Sequence, residues 1–238
     1  MEIAAAGGDG VVSVQARQTV AETQWLLDLA HKHSFVKGVV GWVPLASPTV
    51  SADLQRFRRH QKLKAIRHIV QDEPDADFLV RDDFNRGVRV LRQFDLAYDI
   101  LIFERQLPVA IKFVDRHPDQ RFILDHMAKP RVQSGELSSW RRDIRTLAER
   151  PNVYCKVSGM VTRADDKDWS ETRLRMYFEV VLEAFGAKRC MFGSDWPVCL
   201  VACDYPRGHW IVSGWVVMLS ADEQAHILGG TATEAYNL

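Results

Sequence analysis

A regular alternation of two kinds of segment runs along the 238 residues and constrains the fold more than any other feature. One kind is short and rich in β-branched residues, which is typical of a strand. The other is longer and shows the apolar spacing of a helix. Such alternation predicts a mostly parallel sheet with helical crossovers. The seven predicted strands are 11–16, 38–43, 65–70, 97–102, 121–126, 153–159 and 190–195.

Capping residues mark several helix boundaries. Thr19 and Ser220 each stand three residues before a glutamate, which is the spacing of a capping box, and Gly186 is placed to end a helix. The predicted helices are 19–33, 52–60, 83–93, 107–116, 140–150, 171–185 and 220–228. Segment 200–212 is predicted as a loop that follows the last strand and overhangs the pocket. No change in composition marks a second domain, so residues 1–238 are interpreted as one domain.

The number of strands bears on the architecture. A doubly wound sheet usually has fewer strands than the seven predicted here, and a TIM barrel has eight. Seven strands therefore fit neither a doubly wound sheet nor a complete TIM barrel without a further explanation.

Composition excludes several classes of protein. Lys and Arg number 31 and so do Asp and Glu, so the charge gives no electrostatic case for binding nucleic acid or a membrane. No apolar run approaches the ~20 residues that span a bilayer, and the first residues lack the basic start of a signal peptide. The four cysteines include no CxxC pair, which favours reduced thiols over disulfides or a zinc knot. A cytoplasmic location is expected.

Polar residues stand near the ends of several predicted strands, although buried parallel strands are normally apolar. They are Gln15, Arg67, His68, Asp99, His126, Lys156, Ser158 and Asp195. Alternation places Tyr154, Lys156 and Ser158 on one face of their strand. Of the adjacent pair Arg67 and His68, only one is expected to point inward. The carboxyl ends of barrel strands are where catalytic groups gather.

Structural roles remain open for these residues when each is taken alone. Asp195 could cap the segment after its strand, as turn aspartates do. His126 could bond a neighbouring carbonyl, and Asp99 could fix a loop. Gly193 is expected to share the face of Asp195 and to leave space beside it. Separate structural roles are a less satisfactory explanation for a set of polar residues that spans six strands.

Five short motifs occur in one order along the chain. They are Gly41-Trp42-Val43, Ile66-Arg67-His68, Leu124-Asp125-His126-Met127-Ala128-Lys129-Pro130, Cys155-Lys156-Val157-Ser158-Gly159 and Phe192-Gly193-Ser194-Asp195-Trp196-Pro197-Val198. Together they resemble the amidohydrolase-related (amidohydrolase 2) family, and within it the sugar lactonases of the L-fuconolactonase and L-rhamnonolactonase type. The resemblance covers nearly the whole chain.

The resemblance implies a TIM-like (β/α)8 barrel, with His126 ending the sixth strand and Asp195 ending the eighth. It also implies a hydrolase that opens a sugar-derived lactone or a related cyclic ester. In that chemistry Asp195 would activate water and His126 would polarise the carbonyl. Substrate contacts are expected from Gln15, Arg67, His68, Lys156 and Trp196. The indole of Trp196 could stack on a sugar ring or pack at the rim of the pocket.

One element of the family pattern is absent from the sequence. Family members begin with a first strand that carries a His-x-His pair, whereas the first histidine here is His31, inside a predicted helix. The chain is therefore predicted to start at the second strand, as an N-terminally truncated barrel with strand 1 missing. Asp195 and His126 could hold one divalent metal ion, zinc. Whether they do is left open, because the absent His-x-His pair supplies metal or substrate contacts in the family.

Two other functions remain open. One is a metal-dependent decarboxylase, an activity also known in the wider family. The other is a non-catalytic, truncated relative that binds sugar acids. The expected partner of the leading function is a small-molecule substrate, a sugar lactone or sugar acid. A barrel without one strand would expose two sheet edges, which favours a homo-oligomer.

Overall fold

The computed structural model describes residues 2–133, 135, 137–163 and 170–238. Within them, parallel strands form one seven-stranded sheet in which each strand pairs with the next one along the chain. The strands are β1 (Val11–Val14), β2 (Val36–Gly41), β3 (Leu63–Ile69), β4 (Ala97–Leu101), β5 (Phe122–Leu124), β6 (Val153–Val157) and β7 (Cys190–Phe192). The predicted parallel architecture is confirmed. The sheet curls like a TIM barrel that lacks one strand.

Helices alternate with the strands. They are α1 (Glu2–Ala5), α2 (Val20–Lys32), α3 (Val50–Phe57), α4 (Asp82–Leu91), α5 (Leu107–Asp115), α6 (Ser138–Ala148), α7 (Glu171–Phe185), α8 (Tyr205–Val216), α9 (Ala221–Ala225) and α10 (Thr231–Tyr236). Both predicted N-caps are confirmed, since the side chains of Thr19 and Ser220 accept hydrogen bonds from the N–H groups of Glu22 and Glu223. Among the described residues no helix combines the length and apolar character needed to cross a membrane.

Several strands end earlier than predicted, with β5 at Leu124 and β7 at Phe192, and two helical segments near the C-terminus also differ from the prediction. The predicted loop 200–212 contains the first part of α8, because Asp204 caps that helix by accepting a hydrogen bond from the Arg207 N–H and Pro206 lies in its first turn. The last predicted helix is expected to end at residue 228, but the backbone continues through a π-helical turn (His226–Gly230) into α10. The two glycines there lie within a helical run, although their pattern indicates a stop.

The sheet carries an apolar layer on each face, as strand alternation requires. On the outer face, side chains such as Ile66, Tyr98 and Cys155 pack against the helices. The inner layer takes at least one residue from each strand and consists of Val12, Val14, Val40, Ala65, Ala97, Ile123, Tyr154 and Met191. Polar residues replace this inner layer toward the carboxyl ends of the strands.

The C-terminal helix α10 belongs to the inner layer. Ala235 and Tyr236 pack against the inward residues of the strands, and the Tyr236 hydroxyl donates a hydrogen bond of 2.7 Å to Asp99 Oδ2. Lys64, near the start of β3, donates a hydrogen bond of 2.6 Å to the Asn237 carbonyl. The end of the chain therefore fills the barrel interior from the amino-terminal side of the strands.

Candidate active site

Four charged side chains from neighbouring strands meet inside the sheet. Arg67 extends from β3, Asp99 from β4, Asp125 from the end of β5 and Lys156 from β6. The Lys156 ammonium lies 2.6 Å from both Asp99 Oδ2 and Asp125 Oδ1, and Arg67 Nη1 lies 2.8 Å from Asp125 Oδ2. Both carboxylates are fully buried. In this ion-pair cluster two cations balance two anions, as the burial of charge requires.

Burial and these close partners shift the pKa values of the ion-pair cluster. Burial acts to raise the pKa of Asp125, but Lys156 and Arg67 outweigh it and hold that pKa below its usual value. Burial acts to lower the pKa of Lys156, and the two carboxylates reverse the effect and raise it. The pKa of Asp99 is raised by burial, against the opposing effect of Lys156. Lys156 and Asp125 are therefore charged at neutral pH.

Gln15 borders the ion-pair cluster on the β1 side and is 1% exposed. Its amide Nε2 donates a hydrogen bond of 3.1 Å to the Arg67 carbonyl, and the Arg67 guanidinium donates to the Gln15 carbonyl. Three buried atoms here, Gln15 Oε1, Arg67 Nε and Asp99 Oδ1, have no hydrogen-bond partner in the described part of the chain. Buried polar atoms of this kind are suited to binding water or a polar ligand.

A left-handed turn after β5 positions His126. The φ values of His126, Met127, Ala128 and Lys129 are 52°, 52°, 58° and 49°. None of these residues is glycine, so the left-handed conformation destabilises the fold by about 1–2 kcal/mol at each of them. The Trp140 indole N–H donates a hydrogen bond of 2.8 Å to the Met127 carbonyl and supports the turn. Backbone strain of this kind clusters at functional sites.

Asp195 approaches His126 from the loop after β7. Its backbone is also left-handed, with φ 54°, and its Oδ1 lies 3.6 Å from His126 Nε2. On the other side of the ring, His126 Nδ1 lies 2.8 Å from Ser158 Oγ. The side chains of His126 and Asp195 are 11% and 12% exposed. The two predicted catalytic residues therefore face each other in a nearly buried site that solvent can still reach.

Burial shifts the pKa values of this pair in opposite directions. The pKa of His126 is lowered to about 3, chiefly by burial and against the opposing effect of Asp125. Burial raises the pKa of Asp195 to about 6, although Lys129 opposes this. At neutral pH the ring is uncharged and the carboxylate is mostly ionised. A carboxylate with a pKa near the working pH is suited to accept and return a proton.

His68 lies on the opposite face of β3 from Arg67. Its ring stacks on Phe78 with the centroids 4.8 Å apart. His68 Nδ1 accepts a hydrogen bond of 3.2 Å from the Trp42 indole, and Nε2 lies 2.7 Å from Glu73 Oε1. Because an indole N–H can only donate, Nδ1 carries no proton and the Nε2–H donates to Glu73. Protein groups therefore engage both ring nitrogens of His68.

Trp196 lies at the surface beside the site and is 56% exposed. A cis peptide bond joins it to Pro197. The space that Gly193 leaves lies beside Ser158, since an added Cβ would be 3.0 Å from Ser158 Cβ. Of the predicted site residues, the structure thus brings together Gln15, Arg67, Lys156, His126 and Asp195. It places His68 on the outer face and Trp196 at the rim.

Two residues of the site are missing from the residues predicted for it. Asp125 could have been found, because it shares an inward face with Ile123 and a carboxylate there needs a cation. Tyr236 carries no comparable signal, because it follows two glycines near the end of the sequence and its partner Asp99 is 137 residues away.

The donor set does not fit the zinc site left open by the sequence. Within the described residues, no group of three or more His, Cys, Asp or Glu side chains is arranged to hold a metal ion. A catalytic zinc site takes three protein ligands. Here His126 and Asp195 lie together, and the second nitrogen of the ring bonds Ser158. The chemistry proposed below therefore uses protein groups alone.

The fold is that of the TIM-barrel class, and His126 and Asp195 lie just beyond the carboxyl ends of β5 and β7. The sequence profile of a family described as Amidohydrolase matches residues 1–238. The chain belongs to this amidohydrolase family, which confirms the resemblance and the prediction of a hydrolase.

Two similar curated proteins are named L-fucono-1,5-lactonase. The protein from Burkholderia multivorans is 41% identical over 238 residues, which covers 95% of this chain and 80% of the relative. The protein from Burkholderia ambifaria is 36% identical over 242 aligned residues and covers 99% of this chain and 82% of the relative.

Solved structures agree with this assignment. Two crystal structures of an amidohydrolase from Burkholderia multivorans, one with bound Hepes and one with bound zinc, are each 39% identical to this chain. Each superposes with a TM-score of 0.96 and covers 100% of this chain and 86% of the other. The likeness confirms the predicted barrel architecture.

Proposed function

We propose that this protein hydrolyses a sugar-derived lactone, with Asp195 activating water and His126 polarising the carbonyl. The observation that carries the proposal is the facing pair at the strand ends. A carboxylate with its pKa raised to about 6 lies 3.6 Å from the Nε2 of a neutral imidazole. The relatives named L-fucono-1,5-lactonase, at 41% and 36% identity, support a sugar lactone as the substrate. We therefore infer that a 1,5-lactone, which is a six-membered ring, is the substrate to test first.

In the first step, water adds to the lactone. The Asp195 carboxylate takes a proton from a water molecule while the water oxygen bonds to the carbonyl carbon. The former carbonyl oxygen becomes negatively charged and accepts a hydrogen bond from the His126 Nε2–H. Because both side chains are about one-tenth exposed, this bond acts in a site of low dielectric constant, where it stabilises developing charge more than in water.

In the second step, the ring opens. The bond between the carbonyl carbon and the ring oxygen breaks, and protonated Asp195 returns its proton to the departing alkoxide. The product is a hydroxy acid, which releases one proton to solvent at neutral pH. Asp195 ends the cycle ionised, so no further reactant is consumed.

The ion-pair cluster and Gln15 retain hydrogen-bond donors and acceptors for the hydroxyls of a sugar. An ammonium has three N–H groups, and two carboxylates engage Lys156 at 2.6 Å. Arg67 Nε and Gln15 Oε1 lack hydrogen-bond partners among the described residues. We infer that Gln15, Arg67 and Lys156 contact the polar side of the substrate.

The other two predicted substrate contacts have different geometry. Trp196 exposes 56% of its surface beside Asp195, where its indole could cover a sugar ring from the solvent side. His68 has both nitrogens engaged by Trp42 and Glu73. We infer that these two contacts of His68 support the end of β3, which also carries Arg67.

Proton release from the full chain mixed with an aldonolactone tests the proposal. Six-membered and five-membered lactones are compared in weak buffer with a pH indicator, and carbon dioxide release from an aromatic acid is assayed in parallel. We expect lactone opening well above the spontaneous rate, fastest for the six-membered ring. Carbon dioxide release without accelerated lactone opening would favour the decarboxylase. Sugar-acid binding with neither reaction would favour a non-catalytic relative.

A further inference from the structure

The hydrogen bond between His126 and Ser158 bears on which ring nitrogen carries the proton. A neutral imidazole has one N–H donor and one lone-pair acceptor. His126 Nδ1 lies 2.8 Å from Ser158 Oγ, and Nε2 faces Asp195 Oδ1 at 3.6 Å. The hydrolysis proposed above needs the proton on Nε2, because that nitrogen faces the reacting groups.

The two tautomers differ in what they present to Asp195. If the Ser158 hydroxyl donates to Nδ1, the proton is on Nε2 and points toward the carboxylate, which is an attraction. If Nδ1–H donates to Ser158, the Nε2 lone pair faces the carboxylate, which is a repulsion. A serine hydroxyl can donate or accept, so Ser158 is able to follow the more favourable arrangement.

Two glycines pack the backbone closely against this hydrogen bond. A Cβ added at Gly159 would lie 2.9 Å from His126 Cβ and 3.0 Å from Nδ1. A Cβ added at Gly193 would lie 3.0 Å from Ser158 Cβ and 3.2 Å from its Oγ. The Gly193 N–H donates to the Val157 carbonyl at 3.2 Å, which fixes the two strand ends together. Neither the ring nor the hydroxyl therefore has much room to move.

We propose that Ser158 is a positioning residue that donates to His126 Nδ1 and so keeps the ring proton on Nε2. Ser158 acts through His126 and does not touch the reacting atoms. The effect on catalysis rests on the proposed lactone hydrolysis. The tautomer itself is a property of the protein without substrate, so it can be measured separately.

Nitrogen NMR of the full chain with ¹⁵N-labelled histidine tests the tautomer. The His126 signals are assigned by their loss in His126→Asn. We expect a protonated Nε2 and an unprotonated, hydrogen-bonded Nδ1. In Ser158→Ala the Nδ1 signal should move toward that of an unbonded ring nitrogen, because its donor is gone. A protonated Nδ1 in the parent, or an unchanged Nδ1 signal in Ser158→Ala, would overturn the inference.

Steady-state kinetics test the consequence for catalysis. Ser158→Ala should lower kcat by about 10-fold or more with a smaller change in KM, because substrate contacts remain and the donor to the oxyanion is less well held. Ser213→Ala is the matched control, since that hydroxyl donates to the His209 and Trp210 carbonyls on α8. It should change neither kcat nor the His126 signals. An unchanged kcat in Ser158→Ala would contradict the positioning role of Ser158.

The two tests separate this inference from the proposed function. If the parent opens no lactone while the NMR signals are as expected, the proposed lactone hydrolysis fails and the tautomer assignment stands. If the parent opens lactones while Nδ1 carries the proton, only the role of Ser158 is overturned.

Discussion

Burial and neighbouring charges together decide the charge of each residue in this site. The ion-pair cluster neutralises itself, so its cations and anions are stable inside the barrel. Asp195 lies outside that cluster and faces a neutral ring, and burial is the largest influence on its pKa. The same burial keeps His126 uncharged. A carboxylate with a pKa of about 6 and a neutral imidazole suit the two roles proposed for them in lactone opening.

The activity should depend on pH through Asp195. We expect kcat/KM to rise as the pH increases through about 6 and then to level off, because the protonated carboxyl cannot accept a proton from water. His126 has a pKa of about 3, so it stays neutral over this range and adds no second limb. Initial rates from pH about 5 to about 8, corrected for spontaneous hydrolysis, measure the profile.

A second variant checks the origin of this pH dependence. Lys129 acts to lower the pKa of Asp195, so Lys129→Gln should move the midpoint of the profile to higher pH. A flat profile in the parent would contradict the assignment of Asp195 as the base.

At the scale of elements, alternation along the strands could be predicted and the turns between them could not. The inward face of Tyr154, Lys156 and Ser158 follows from the two-residue period of a strand. The left-handed turn at 126–129 contains no glycine that would have indicated it in the sequence. The Trp140 indole supports it by a hydrogen bond to the Met127 carbonyl, which joins the turn to a helix later in the chain. Contacts of that kind are set by tertiary packing.

The start of α8 was also missed by prediction from the local sequence. Asp204 and Pro206 form a recognisable helix start, yet the segment contains Tyr205, Gly208 and His209 and was predicted as a loop. The helical run through Gly229 is the opposite case, because a signal for a helix end is overridden by packing of α10 inside the barrel. Local propensity is a weak guide where tertiary contacts are strong.

Removal of the central cation tests the ion-pair cluster that links β4, β5 and β6. Lys156→Met leaves the Asp99 and Asp125 carboxylates without their shared partner, so we expect the free energy of unfolding to fall by about 3–5 kcal/mol. The loss should be smaller at low pH, where protonation removes one of the two negative charges. Urea denaturation at two pH values measures it. Exposed Lys32→Met is the control, and an equal effect in both variants would contradict the role of the cluster.

At the scale of the whole molecule, the end of the chain completes the barrel interior. Tyr236 packs among the inward residues of the strands and bonds Asp99, so α10 joins the apolar inner layer to the ion-pair cluster. The Lys156 ammonium also lies 5.4 Å from the centre of the Tyr236 ring. The stability of the cluster therefore depends on the last residues of the sequence.

Loss of one hydroxyl tests this connection. Tyr236→Phe keeps the ring and removes the donor to the fully buried Asp99, so we expect unfolding to require about 1–3 kcal/mol less free energy. Tyr154→Phe is the matched control, because its hydroxyl bonds Glu234 at 3.0 Å in an exposed position, where such a bond is worth about 1 kcal/mol or less. Thermal and urea unfolding compare the two. Equal losses of unfolding free energy in the two variants would show that the buried hydrogen bond to Asp99 stabilises the fold no more than the exposed one to Glu234.

The turnover of Asp195→Asn tests the central claim most directly. The amide keeps the shape of the side chain but cannot take a proton from water, so we predict that hydrolysis of a six-membered aldonolactone falls by about 100-fold or more while the fold and substrate binding persist. Asp222→Asn, at a side chain that is 76% exposed on α9, should keep the parental rate. An Asp195→Asn variant that opens the lactone as fast as the parent would contradict the account.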